Sequence, residues 1–309
     1  MTDKQINKWL RRRFSPIGWV LLAYFAILFL LTNLAAVLDE AAFLLRGMVP
    51  DWDVMMGNGW GYILTILAGA VVLISWKGGE YWKNELFHQE KPISAGIFFA
   101  AAVLMVGCQL LNSLWITGLE AVLNQFDRSV MPYLEDISGS SDTFSMFLYA
   151  SILAPVAEEV LFRGLVLRSL QPYGRRFAIL GSAFLFGMYH GNLMQTPYAF
   201  LVGLIFGYVT VNYSLWWSVA LHAFNNLVVA DLLTRLLMLL PETAAGILDY
   251  GLLVGSTLAA AVILIVKRRD IRAWRQGEWM DRRVLKCFFT SPGILVFTVL
   301  MALMMLFML

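Results

Sequence analysis

Apolar residues in this chain run together in long blocks instead of alternating with polar ones. Blocks near 17–37, 61–76, 95–117, 144–166, 177–194, 198–214, 215–237, 246–266 and 287–309 are dominated by apolar side chains, and about 20 such residues in a helix cross a ~30 Å hydrocarbon core. The pattern predicts an all-α, polytopic transmembrane helical bundle of about nine spans. Composition agrees: 60% of the 309 residues are hydrophobic and 14% charged, against about a quarter charged in soluble domains. The first block follows Arg11, Arg12 and Arg13 as a signal peptide would, but it exceeds the 7–15 residues of a signal h-region and reads as a retained anchor.

The basic residues orient the bundle. With a cytoplasmic N-terminus, 19 of the 23 lysines and arginines fall on inner segments, including eight from Lys267 to Lys286. Arg46, Arg128 and Arg235 fall outside, and Arg163 lies within a span. This asymmetry is the positive-inside pattern, and Trp274 and Trp279 in the inner segment 267–286 read as interfacial anchors among membrane lipids. The outer segment 118–143 is acidic and holds a polar stretch from Ser138 to Asp142. A net charge of +2 gives no reason to expect nucleic acid. Cys108 and Cys287 have no metal-type or disulfide spacing and read as packing residues.

Ionisable groups inside spans cost on the order of 3 kcal/mol each on insertion scales, so each needs a reason. They concentrate in three segments. The fourth span carries Pro155, Glu158, Glu159 and Arg163; the fifth carries Phe186 and His190; the seventh carries His222, Asn225 and Asn226. Glu159 and Arg163 are four apart and pair on one helical face, whereas Glu158 points about 100° away and is left as a candidate acid or base. Pro155 is expected to kink the span beside it. Asn226 lies one turn from His222. Gly187 with Gly191, and Gly203 with Gly207, have the small-xxx-small spacing of close helix packing. A free carboxylate, two histidines and an amide donor form the set that amide hydrolysis needs. A proton-coupled transporter, or a non-catalytic immunity or scaffold protein, is the alternative reading of the same groups.

Three motifs in order, EExxxR (Glu158, Glu159, Arg163), FxxxH (Phe186, His190) and HxxxN (His222, Asn226), resemble the CPBP or Abi family of intramembrane proteases. That family includes type II CAAX prenyl endopeptidases and bacterial relatives linked to bacteriocin processing. The resemblance covers roughly 144–230. It implies that Glu158 and His190 activate water, that His222 and Asn226 stabilise the oxyanion, and that Glu159 and Arg163 organise the site. The substrate would be a membrane-associated peptide or protein, and the location a bacterial cell membrane. Glu158, His190 and His222 would be the ligands if zinc were used; without HExxH, metal-free glutamate catalysis is the favoured reading, with no cofactor. The chain divides into N-terminal spans (1–143), a catalytic core of four helices (144–237) and C-terminal spans with the basic inner loop (238–309).

Overall fold

The computed structural model describes all residues except 52–53, 56, 85, 87, 139–142 and 278–279. Most of the polar stretch from Ser138 to Asp142, and Trp279, therefore lie outside the described residues. Within them the chain is helical throughout, apart from turns and one isolated antiparallel bridge between Gln89 and Ser214.

Helix α1 (Asp3–Leu45) opens on a capping box in which Thr2 and Gln5 satisfy each other's backbone N–H groups. Its 43 residues reach about 65 Å at 1.5 Å per residue, so it extends well beyond a hydrocarbon core. α2 (Gly59–Lys77) and α3 (Ala95–Leu123) follow. Residues 144–170 form one continuous helical column, α4, in which the α-segments Phe144–Leu148, Ala154–Glu159 and Arg168–Leu170 alternate with π-segments Tyr149–Leu153 and Val160–Leu167. α5 (Arg175–Tyr189) and α6 (Thr196–Asn212) pack on each other. α7, residues 215–238, again contains a π-segment, Asn225–Leu232. α8 (Glu242–Val266) packs on α3, and α9 (Arg268–Gly277), α10 (Arg282–Phe289) and α11 (Pro292–Phe307) end the chain.

Helices occupy all nine apolar blocks, but they are unequal. Four of them, α1, α2, α3 and α8, are long and apolar enough to cross a membrane on their own, and α10 with α11 would make a fifth across a 62° bend. The remaining blocks are shorter or interrupted by π-turns. α5 ends five residues earlier than the apolar block 177–194. Gly191 adopts φ +64° there, a left-handed conformation that glycine takes without steric cost and that stops a helix. The basic segment expected as a plain inner loop is helical over α9 and α10.

At Pro155, where a kink is expected, α4 widens into a π-turn. The N–H of Ala154 reaches the carbonyl of Tyr149, five residues back, immediately before the proline ring that has no N–H to offer.

The two ends of the chain are stitched to the middle. Phe14 of α1, Phe177 of α5 and Phe288 of α10 are fully buried, with ring centroids 5.3–5.7 Å apart. Below them α1 crosses α11 backbone to backbone, since a Cβ on Gly18 would lie 2.1 Å from the carbonyl carbon of Gly293. The Gly293 N–H donates to Ser15 Oγ at 2.9 Å. Such close approach needs small residues and gains van der Waals contact that lipid does not match. Gly18→Val should destabilise the protein by about 1–3 kcal/mol, read as a lower unfolding temperature in detergent, because only backbone is there to move. Gly246→Ala on α8, where nothing lies within 4 Å of the added methyl, should leave it unchanged or raise it.

Candidate active site

The fixed point of the site is Arg163, which has no exposed surface. It hangs from the second π-segment of α4, and its Nη1 donates to Glu159 Oε1 at 2.8 Å. Nη2 donates to the carbonyl of Gly203 on α6 at 3.3 Å. The guanidinium lies over the ring of Phe186, 4.2 Å from its centroid, and 5.3 Å from that of Phe206. A Cβ on Gly203 would come within 3.2 Å of Nη2, so the bare backbone admits the charge. Ion pair, carbonyl and two π-faces together compensate a cation held out of water.

Glu159 is equally buried, and it does more than neutralise Arg163. Its Oε1 also meets His222 Nδ1 at 3.0 Å, while its Oε2 has no hydrogen-bond partner among the described residues. Since a carboxylate only accepts, it fixes Nδ1 as the protonated nitrogen of His222. Nε2 is left facing Glu158, 3.8 Å from Oε2. The sequence separated the glutamates by helical angle, and the angle holds: the Glu158 side chain is 28% exposed and that of Glu159 is not exposed at all. His222 sits between the two carboxylates, with Nδ1 on Glu159 and Nε2 toward Glu158. Phe206 stacks on the His222 ring at 5.0 Å and 26°, and Phe186 meets it edge-on at 5.8 Å.

His190 is not in mid-helix. It caps the C-terminus of α5 with φ −65° and ψ −20°, and its Nδ1 contacts the Phe186 carbonyl at 2.9 Å. A carbonyl cannot donate, so Nδ1 carries the proton and Nε2 is free to accept one. The turn beyond is held by Asn192, whose amide donates to the His190 carbonyl at 3.0 Å and to Gln195 Oε1 at 2.7 Å. Phe186 touches Arg163, His190 and His222 alike, which gives the FxxxH phenylalanine a packing role at the centre of the site.

Asn226 is oriented by a chain of bonds that the motifs do not contain. Its Nδ2 donates to the Ala150 carbonyl at 3.0 Å, its Oδ1 accepts from Asn225 at 3.0 Å, and Asn225 accepts from the Tyr198 hydroxyl at 2.8 Å. The carbonyl end sets the direction of every link, leaving one Nδ2 hydrogen of Asn226 uncommitted. The π-segments Tyr149–Leu153 and Asn225–Leu232 meet at this bond. Tyr198 gave no signal in the sequence, being one aromatic residue in an apolar block.

Among the described residues no three His, Cys, Asp or Glu side chains gather into a group able to hold a metal ion.

The site thus joins, inside a helical bundle, a buried glutamate–arginine pair, a histidine between two carboxylates and a partly exposed Glu158. Residues 140–228 match the model of the Rce1-like family, type II CAAX prenyl endopeptidases. The match falls on the segment that carries the three motifs. The chain matches no curated protein and no solved structure.

Removing one partner of the buried pair should be costly. Glu159→Gln should destabilise the protein by about 3–5 kcal/mol, since Arg163 stays buried without its counter-charge, and should release His222. Thermal unfolding of purified protein in detergent measures this. The double variant Glu159→Gln with Arg163→Met should recover part of the loss.

Proposed function

We propose that the chain is an intramembrane endopeptidase that hydrolyses a peptide bond of a membrane-associated peptide or protein. The observation that carries this reading is the division of labour between adjacent carboxylates: Glu159 is consumed by Arg163 and His222, while Glu158 remains partly exposed with His222 Nε2 at 3.8 Å. The Rce1-like match over the same residues supports it.

In this mechanism Glu158, with His190 Nε2, accepts a proton from water as its oxygen adds to the scissile carbonyl. The tetrahedral intermediate then collapses, the C–N bond breaks, and Glu158 returns the proton to the leaving amine. The products are one carboxylic acid and one amine. Asn226 presents its uncommitted N–H to the developing oxyanion, and His222 donates from Nε2 in its imidazolium form. Glu159 and Arg163 position His222. Elimination of bulk water and fixed donors lower the barrier without reorganisation during the reaction.

The topology proposed with it has nine crossings and a cytoplasmic N-terminus in a bacterial membrane, on the strength of the charge asymmetry. Glu158 then lies roughly 14 Å from the inner boundary, and substrate enters from the cytoplasm.

Glu158→Gln should reduce kcat for CAAX-type peptides by about 10²- to 10⁴-fold with the unfolding temperature unchanged. Peptides from cells carrying wild-type or Glu158→Gln protein, compared by mass spectrometry, identify the substrate. Proton flux in sealed vesicles without peptide cleavage would overturn the assignment in favour of transport. Single cysteines at the inner ends of α4 and α7, in a background lacking Cys108 and Cys287, should react with an impermeant thiol reagent only in inside-out vesicles; labelling from outside defeats the topology.

A further inference from the structure

The catalytic reading leaves one polar group beside Glu158 without a task. The ring of Tyr189, the last residue of α5, lies 5.3 Å from Phe162, 5.7 Å from Phe25 and 6.3 Å from Tyr24 between centroids. Phe162 follows Glu158 by one turn of α4, so Tyr189 stands against the face that carries the carboxylate. Its hydroxyl is buried and has no hydrogen-bond partner among the described residues.

Buried hydroxyls are nearly always paired, and an unpaired one needs an explanation. Packing does not supply it, because phenylalanine would make the same edge-to-face contacts without burying an oxygen. The site is also short of donors. His222, held at Nδ1 by Glu159, presents a lone pair at Nε2 whenever it is neutral, and Asn226 has a single N–H to spare. A neutral phenol donates in either state of His222.

We propose that the Tyr189 hydroxyl is a catalytic hydrogen-bond donor that binds the scissile carbonyl and strengthens its bond as that oxygen becomes an oxyanion. The ring of Tyr24 packs beside that of Tyr189 at 6.3 Å. Tyr24 is supplied by α1, so a helix outside the Rce1-like segment completes the site. The inference rests on the endopeptidase reading.

The test uses the full chain in detergent and a quenched fluorescent peptide that the wild type cleaves. Tyr189→Phe should lower kcat by about 10²-fold, the scale of losing one oxyanion donor, with KM within about twofold and the unfolding temperature unchanged or higher. Binding of a hydroxyethylene isostere of the same peptide, which places a tetrahedral oxygen at the scissile position, should weaken by at least tenfold. Unchanged kcat in Tyr189→Phe, or a loss that tracks a lowered unfolding temperature, overturns the inference. If Glu158→Gln is inactive while Tyr189→Phe cleaves normally, only Tyr189 is misassigned. If the wild type cleaves no peptide, both readings fall.

Discussion

A guanidinium with no exposed surface, inside a bundle made largely of hydrocarbon, is the constraint around which the centre of this protein is arranged. Arg163 is held by a counter-charge, one carbonyl acceptor and polarizable surfaces, and each of these is a structural element: Glu159 on its own helix, the Gly203 carbonyl on α6, and the rings of Phe186 and Phe206. Three helices are thereby fixed in relative rotation. Because Glu159 also holds His222, the fourth helix, α7, is tied to the same charge. Breaking such a pair leaves a buried ion, so the geometry of His222 is coupled to the stability of the core.

The helices that carry the site are also the irregular ones. π-segments occupy Tyr149–Leu153 and Val160–Leu167 in α4 and Asn225–Leu232 in α7. A π-turn inserts a residue and rotates everything after it. Here those rotations bring Ala150 to Asn226 and turn Arg163 toward Gly203. The regular helices α1, α2, α3 and α8 are the ones long and apolar enough to span a membrane on length and composition. Regular helices supply the frame, and widened ones aim the side chains.

That frame also reaches into the chemistry. α1 packs by Gly18 on Gly293 and by Phe14 on Phe177 and Phe288, and the same helix carries Tyr24 to Tyr189. The Rce1-like segment, residues 140–228, contains the carboxylates and histidines but not this phenol. A helix outside that segment therefore packs against one of its residues, Tyr189.

The sequence by itself determined the all-α membrane architecture, because uninterrupted apolar blocks leave no other way to satisfy the backbone. It also paired Glu159 with Arg163 and separated Glu158 from both, since these relations depend only on helical repeat within one element. The motif residues Glu158, His190, His222 and Asn226 stood out because polar groups are rare in such blocks. Only the tertiary structure placed His222 between the two glutamates, ended α5 at Tyr189 to leave His190 on a helix cap, and recruited Tyr198, Asn225 and Phe206. Those outcomes depend on π-turns, a left-handed glycine and contacts between helices far apart in the chain. An aromatic residue in an apolar block looks the same whether it faces lipid, core or substrate, and its surroundings exist only once the helices pack.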